Sequence, residues 1–318
     1  MGCILPFMYA KAGKEREVYF KGVGLALIAV ILWSGNYVIA RGLYKIVTPI
    51  SLAFFRWLFA TVLLVPIAFS SVVRQRRALL PHWKHLCLAA ITGVSVFNTF
   101  IYIAGKYTTA TNLALIGTTA SPLFVLFISA LFLKSKPGLV QLLGAAICVA
   151  GILLLLTNGR WENLMAFRFS VGDLWMLGAA LFFALYTLLV RKKPKELSPT
   201  AYLFAVFLIG TLFLLPAWII EQNLVPSFEW NFSIFLVFLY LGLGTSVISF
   251  LAWNGAIHRL GPTRTALFGN LIPVFSSVEA VLILGERFTW VTIISMVIIL
   301  TGILIANWSG RAAKSSGL

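Results

Sequence analysis

Two ionisable residues, Arg56 and Glu279, stand inside long apolar stretches, about 49–73 and 263–285, the second broken also by Arg264 near its start. A charged side chain facing lipid costs several kcal/mol, so pairing or function must keep such residues there. A guanidinium can grip a carboxylate through parallel hydrogen bonds, and a buried carboxyl can bind an amine or carry a proton. At 1.5 Å per residue, Arg56 lies about 10 Å below the start of its stretch near Pro49, and Glu279 about 9 Å from the end of its own near Gly285. The matching depths predict that the two pair. Two readings of the pair stay open: a group that handles substrate or protons, or a structural ion pair that locks two parts of the chain together.

Uncharged polar residues fall in stripes around them. Trp33, Asn36 and Tyr37 share one helix face at i, i+3 and i+4, within "ILWSGNYVIARGLYK". Ser95, Asn98 and Tyr102 form a second stripe, and Asn112 and Thr119 a third. Asn270, in "GNLIPV", adds a further amide. Each stripe is either the wall of a hydrated substrate cavity or a set of interhelical hydrogen bonds worth about 0.6 kcal/mol apiece; three together favour the cavity. Pro122 and Pro273 read as helix kinks that free the carbonyls of Thr118 and Gly269.

Other signals read as structural. His82 and His85 in "PHWKH" imitate a metal pair but have no further ligands nearby, so no metal site is expected. Ser170 and Asp173 fit a capping box, and Glu286 reads as solvated in a short turn. Trp253 and Asn254 read as interfacial residues near the inner end of their span. Gly144, Cys148 and Gly151 make a small-residue stripe suited to helix packing, a homodimer seam included. Cysteines 3, 87 and 148 are too few and scattered for a disulfide framework, and "MGC" lacks the Ser or Thr at position 6 that myristoylation prefers.

The elements that must position these residues follow from composition. Of 318 residues, 60% are apolar and 11% charged, against about 25% charged in a soluble globule. Charge-free windows at 22–40, 86–105, 107–133, 137–159, 174–190, 197–220, 230–257 and 288–310 are each near the ~20 residues that cross a bilayer. With the two interrupted stretches they predict an all-α membrane protein of ten transmembrane helices. The net charge of +16 does not point to nucleic acid. If the N-terminus is cytoplasmic, eighteen Lys and Arg fall on that side and six on the other, with Arg56 within a span. That bias places both termini in the cytoplasm and makes lipid headgroups the partner of the basic loops.

The chain is also written twice. A shift of 150 aligns Gly22 with Gly172, Arg41 with Arg191, Pro49 with Pro199, Thr61 with Thr211 and Pro66 with Pro216. Asn36 then falls on Tyr186, a further candidate cavity residue. A shift of 151 aligns Pro122 with Pro273 and "GIL" 151–153 with "GIL" 302–304. Five spans per copy is an odd number, so the second copy enters from the opposite side as an inverted repeat. The expected organisation is a cytoplasmic tail at 1–21, a first five-helix repeat at 22–156, a connecting loop at 157–171, a second repeat at 172–308 and a cytoplasmic tail at 309–318.

With "LWSGNYVIARGL", "TPISLAFFRWLFATVLLVP", "TATNLALIGTTASPLF", "GAAICVAGILLL" and "RLGPTRTALFGNLIPVFSSVEAVLILGERFT" in this order, the chain resembles the EamA-type family of the drug/metabolite transporter (DMT) superfamily from about residue 22 to 308. The resemblance implies a multi-pass permease of the cell membrane (the inner membrane in a bacterium). It also implies export of small metabolites through a central cavity between the halves. The polar and aromatic stripes suit amphipathic cargo such as amino acids or aromatic compounds. No phosphate-binding G-x-x-x-x-G-K-[ST] loop occurs, and neither an enzyme's catalytic set nor a cofactor is expected. A non-transporting membrane scaffold or an intramembrane enzyme is the alternative. Proton coupling through Glu279 and simple facilitated exchange both stay open.

Overall fold

The computed structural model describes residues 4–132, 138–157, 159, 160, 162, 170–260, 265 and 268–315. The "MGC" start, Arg264 and most of the expected connecting loop 157–171 lie outside the described residues. Every regular element among the described residues is helical. Stretches long and apolar enough to cross a bilayer run over Glu17–Gly42, Pro49–Ala104, Ala110–Ser129, Val171–Arg191, Pro199–Leu224 and Phe232–Leu260. Leu142–Leu155, Ile272–Leu284 and Trp290–Ile305 are shorter apolar helices. Large apolar side chains cover the outside of the bundle, with Phe69 64%, Leu282 78% and Trp290 80% exposed, as a surface solvated by lipid tails requires. The protein is a multi-pass membrane protein.

In chain order the helices are α1 (Ile4–Gly42), α2 (Pro49–Leu79), α3 (Trp83–Ala90), α4 (Phe97–Ala104), α5 (Ala110–Phe132), α6 (Leu139–Leu156), α7 (Val171–Arg191), α8 (Pro199–Leu224), α9 (Phe232–Leu239), α10 (Ser249–Leu260), α11 (Ile272–Leu284) and α12 (Trp290–Ser315). The long stretch Pro49–Ala104 doubles back on itself. A tight 3-10 turn at Leu80–His82, where Pro81 cannot continue the hydrogen-bond ladder, returns α4 against α2.

The duplication is visible as contact between equivalent residues. Thr61 and Thr211 touch through their hydroxyls at 3.2 Å, and the rings of Trp57 and Phe207 lie 4.5 Å apart, both pairs separated by 150 residues. Where the two helices that carry them run antiparallel, such contacts mark a local two-fold relation between the copies. The ends of α2 and α8 fix their directions: Glu221, late in α8, bonds Thr48 and Ser51 at the start of α2, while Gln75, late in α2, accepts from the Ser198 amide at the start of α8. The two helices are therefore antiparallel. A second crossing pairs α6 with α12, where Cys148 Sγ reaches the Ile299 carbonyl at 3.6 Å. A methyl group on Gly302 would lie 2.8 Å from the backbone of Cys148 and of Gly144. The small-residue stripe, expected to suit helix packing or a homodimer seam, packs against its repeat mate within the chain.

The tetrapeptides "GVSV" at 93–96 and "GTSV" at 244–247 both fall in π-helical segments, Ile91–Val96 between α3 and α4 and Tyr240–Ile248 between α9 and α10. Side chains bond back five residues, as a π turn allows: Ser246 to the Leu241 carbonyl at 2.9 Å and Ser249 to the Gly244 carbonyl at 2.8 Å. Single-turn π distortions concentrate at functional positions. Pro273 corrects an expectation. It sits in the first turn of α11, preceded by a turn at Asn270 and Leu271, rather than kinking a continuous helix. Its missing N–H is harmless at that position. Pro122 does lie inside α5, on an exposed face.

Candidate functional site

The site is organised by "WSGNY" on α1. Asn36 Oδ1 accepts from Arg56 Nη1 at 2.5 Å and from the Tyr102 hydroxyl at 3.0 Å, and the same Nη1 donates to the Tyr102 oxygen at 3.0 Å. The three side chains come from α1, α2 and α4 and are all but sealed, with Asn36 and Arg56 6% exposed and Tyr102 1%. The guanidinium rests 5.0 Å from the Trp57 ring centre. Its Nε, the Trp57 Nε1 and the Asn98 Oδ1 are buried without a hydrogen-bond partner. Asn98, one turn before Tyr102, points its amide nitrogen at the Gly93 carbonyl of the π segment, 3.4 Å away.

Glu279 is elsewhere. Its Oε1 lies 2.6 Å from Ser34 Oγ, and its Oε2 is buried without a partner. Ser34 Oγ is also 2.6 Å from the Ile31 carbonyl, and a single hydroxyl proton serves one of these contacts at a time. The expected ion pair between Arg56 and Glu279 does not form; the ion pairs among the described residues are Glu17–Lys21 and His82–Glu196. The reason is azimuth. Residues 34 and 36 point about 200° apart on a helix, so the groups that bind Glu279 and Arg56 leave α1 on nearly opposite sides. Tyr240, from the second π segment, packs between them against Gly35 and donates to the Leu32 carbonyl at 2.8 Å. A methyl group on Gly35 would stand 2.2 Å from that phenol oxygen, which explains the glycine.

The remaining candidates spread outward from this centre. Trp33 donates to the Thr245 carbonyl in the π segment at 2.9 Å and packs on Trp253, ring centres 5.1 Å apart. Tyr37 is buried beside Gly117. Tyr186 packs its ring against Gly93 and lies near Phe183. Asn270 is half-buried in the turn before α11. Asn112 donates to Thr108 Oγ1 at 3.3 Å, near the start of α5 and away from the Asn36 cluster. Two surface cavities, of about 420 Å³ beside Arg41, Lys45 and Glu286 and about 270 Å³ beside Ile50, Ile220 and Glu221, lie at the same end of the bundle, and Asn36, Asn98 and Tyr102 line neither.

Two acidic readings change. Ser170 does cap α7, accepting from the Gly172 amide at 3.2 Å, but Asp173 accepts from Thr108 at 2.7 Å instead of completing the box. Glu286 is not simply solvated: it caps α5, accepting from the Ala110 amide at 2.9 Å and Thr111 Oγ1 at 3.2 Å. Negative charge there meets the positive end of the helix dipole. His82 and His85 each find a second-half partner, Glu196 and Tyr202, rather than each other. Sequence reasoning missed Tyr240 and Glu221; repetition of G-x-S-V 151 residues apart marked the region of the first, and nothing local marked the second.

The family model described as the EamA-like transporter family matches residues 20–157 and again 170–308. The chain belongs to the EamA-like transporter family. An "Uncharacterized transporter" of Archaeoglobus fulgidus is 28% identical over 289 residues, 89% of this chain and 96% of its own. A "Probable amino-acid metabolite efflux pump" of Salmonella typhimurium is 23% identical over 300 residues, 92% of this chain and 96% of its own. The "Uncharacterized inner membrane transporter YicL" of the same organism is 26% identical over 300 residues, with the same coverage. A crystal structure superposes with a TM-score of 0.62 at 20% identity, covering 94% of this EamA-like chain and 99% of its own; the likeness is one of fold.

Proposed function

We propose that this EamA-like protein is a secondary transporter that exports small amphipathic metabolites, such as amino acids or aromatic compounds. Ten spans, in two inverted repeats at 22–156 and 172–308 joined by 157–171, would alternate access to the polar centre, with both termini and the tails 1–21 and 309–318 in the cytoplasm. The observation that carries the reading is a set of buried, unpartnered polar atoms on both sides of α1: Arg56 Nε, Trp57 Nε1 and Asn98 Oδ1 around the Asn36 cluster, and Glu279 Oε2 on the Ser34 side. Buried polar groups are otherwise almost always hydrogen-bonded, so such a concentration suits a site that a ligand or water completes. Trp33, Asn36, Tyr37, Asn98, Tyr102, Tyr186 and Asn270 line the path, with Asn112 at its rim.

Glu279 is the coupling residue of this mechanism. With the Ser34 proton on the Ile31 carbonyl, the 2.6 Å contact to Glu279 is a hydrogen bond only when the carboxyl itself is protonated. Proton uptake and release at Glu279 then accompany closure and opening on the Ser34 side. The test is flux of radiolabelled amino acids in proteoliposomes. Saturable uptake that an imposed pH gradient drives above equilibrium is expected, and Glu279→Gln should lose the accumulation while retaining exchange at equilibrium. Gradient-driven accumulation that survives Glu279→Gln removes the coupling role, and no saturable flux across the panel removes the transporter reading for that cargo class.

A further inference from the structure

We propose that Arg56 forms a carboxylate subsite, so that the cargo of this protein carries a carboxylate that takes the place Asn36 Oδ1 occupies on Arg56 Nη1. The inference rests on the transporter reading and deepens it.

Three observations meet at this point. First, Arg56 is a guanidinium 6% exposed whose hydrogen-bond partners are two neutral groups, Asn36 and Tyr102. Glu279 turns the other way, to Ser34. A buried cation without a carboxylate is costly, and a bound anion relieves that cost. Second, Arg56 Nε and Trp57 Nε1 are both buried donors with no acceptor. A guanidinium holds a carboxylate best through two parallel N–H bonds, and here Nη1 reaches one acceptor while Nε waits for another. Third, the nearby unpartnered acceptor has the opposite polarity. The Asn98 amide nitrogen faces the Gly93 carbonyl, which can only accept, so the side-chain oxygen must point away from it. Asn98 and Tyr102 are neighbours at i and i+4 on one helix face, about 6 Å apart. Tyr102 touches Arg56, so an acceptor stands one helical turn from the anion site. That spacing suits a second polar group on the same small molecule, and an α-ammonium fits an acceptor.

Asn36 and Tyr102 hold the hydrogen-bonding positions on Arg56 that a carboxylate would take. Their shared hydrogen bonds hold Arg56 on α2 against α1 and α4, which ties the site to the helices that must separate when it opens. A structural clamp has different consequences. A purely structural Arg56 would lose folded stability when replaced and leave the choice among ligands unchanged. At a subsite the Asn36–Tyr102 hydrogen bond survives the replacement, a desolvated charge is relieved, and the preference for a carboxylate is what disappears.

The test is ligand-induced thermal stabilisation of the full-length protein in nanodiscs, with matched probes: the common amino acids, their decarboxylated amines, and their deaminated acids. For the phenylalanine set these are L-phenylalanine, phenethylamine and 3-phenylpropionate. At least one carboxylate-bearing probe should raise the unfolding temperature with an apparent affinity more than about tenfold above that of its amine. Arg56→Met should unfold near the wild-type temperature and lose that preference, and Arg56→Lys should keep part of it. Equal stabilisation by amine and acid, or no carboxylate surpassing its amine in any set, overturns the subsite. So does a large fall in the unfolding temperature of ligand-free Arg56→Met with Arg56→Lys restoring it, which marks a clamp. Saturable flux in proteoliposomes stands apart from all these outcomes, so transport survives as a reading if the subsite fails.

Discussion

The two ends of the α2–α8 crossing start from nearly the same sequence, Thr48-Pro49 and Ser198-Pro199, and are closed by different chemistry. At the Pro199 end Ser198 caps its own helix, its hydroxyl accepting from the Ala201 amide at 3.2 Å, and the bond that the Ser198 amide makes to the other half is a neutral one, to Gln75 at 2.8 Å. At the Pro49 end Thr48 makes no cap for its own helix. Glu221 takes over, accepting from Thr48 Oγ1 at 2.5 Å, the Ser51 amide at 2.9 Å and Ser51 Oγ at 2.7 Å. Asp173 and Glu286 make similar reaches to Thr108 and to the start of α5. All three carboxylates belong to the second half and grip the first. The duplicated chain thus carries an asymmetric charge pattern, and the two ends of the crossing are held with different strength.

Glu221→Gln is the strongest way to break this comparison. It leaves one acceptor and removes the charge, and hydrogen bonds to charged groups contribute about 1.5–3 kcal/mol each. A loss of about 2–3 kcal/mol in unfolding free energy is expected, read by thermal or denaturant unfolding in one lipid composition. Gln75→Ala at the other end removes a single neutral bond, and a loss of about 1 kcal/mol is expected by the same measurement. Equal losses in the two variants would mean that the charge adds nothing and that the ends differ only in geometry.

Part of this arrangement is legible in the sequence. Proline fixes where a helix starts, so Pro49 and Pro199 expose the duplication even in a chain whose other residues are largely interchangeable apolar ones. Residues 36, 56 and 102 announce themselves because amides, phenols and guanidinium groups are costly in lipid, and the structure brings them together. Depth is readable and azimuth is not: matched depths for Arg56 and Glu279 say nothing about which side of α1 each approaches, and residues 34 and 36 send them apart. Helix starts that borrow a carboxylate from 170 or more residues away, as Ser51 does from Glu221, leave no local pattern. The π segments escape periodicity arguments because one extra residue per turn shifts the face without changing composition, and only the repeated G-x-S-V hints at them.

His82 and Glu196 give the finest test of the contrast between the ends. They form an ion pair across the halves at the Pro199 end when the imidazole is protonated, but the separation is 3.6 Å and the side chains are 35% and 64% exposed. Water and salt screen such a pair, and ordering two mobile side chains offsets most of the attraction, so exposed pairs contribute about 0–1 kcal/mol. His82→Ala is expected to change the unfolding free energy by less than about 0.5 kcal/mol, with salt erasing the remainder. Charge at this end is therefore weak because it stays hydrated, whereas Glu221 accepts from the amide of the buried Ser51, which the helix's own cap leaves without a side-chain acceptor. A His82→Ala loss close to that of Glu221→Gln would mean that exposure does not set the difference, and the asymmetry between the two ends would have to come from the helices themselves.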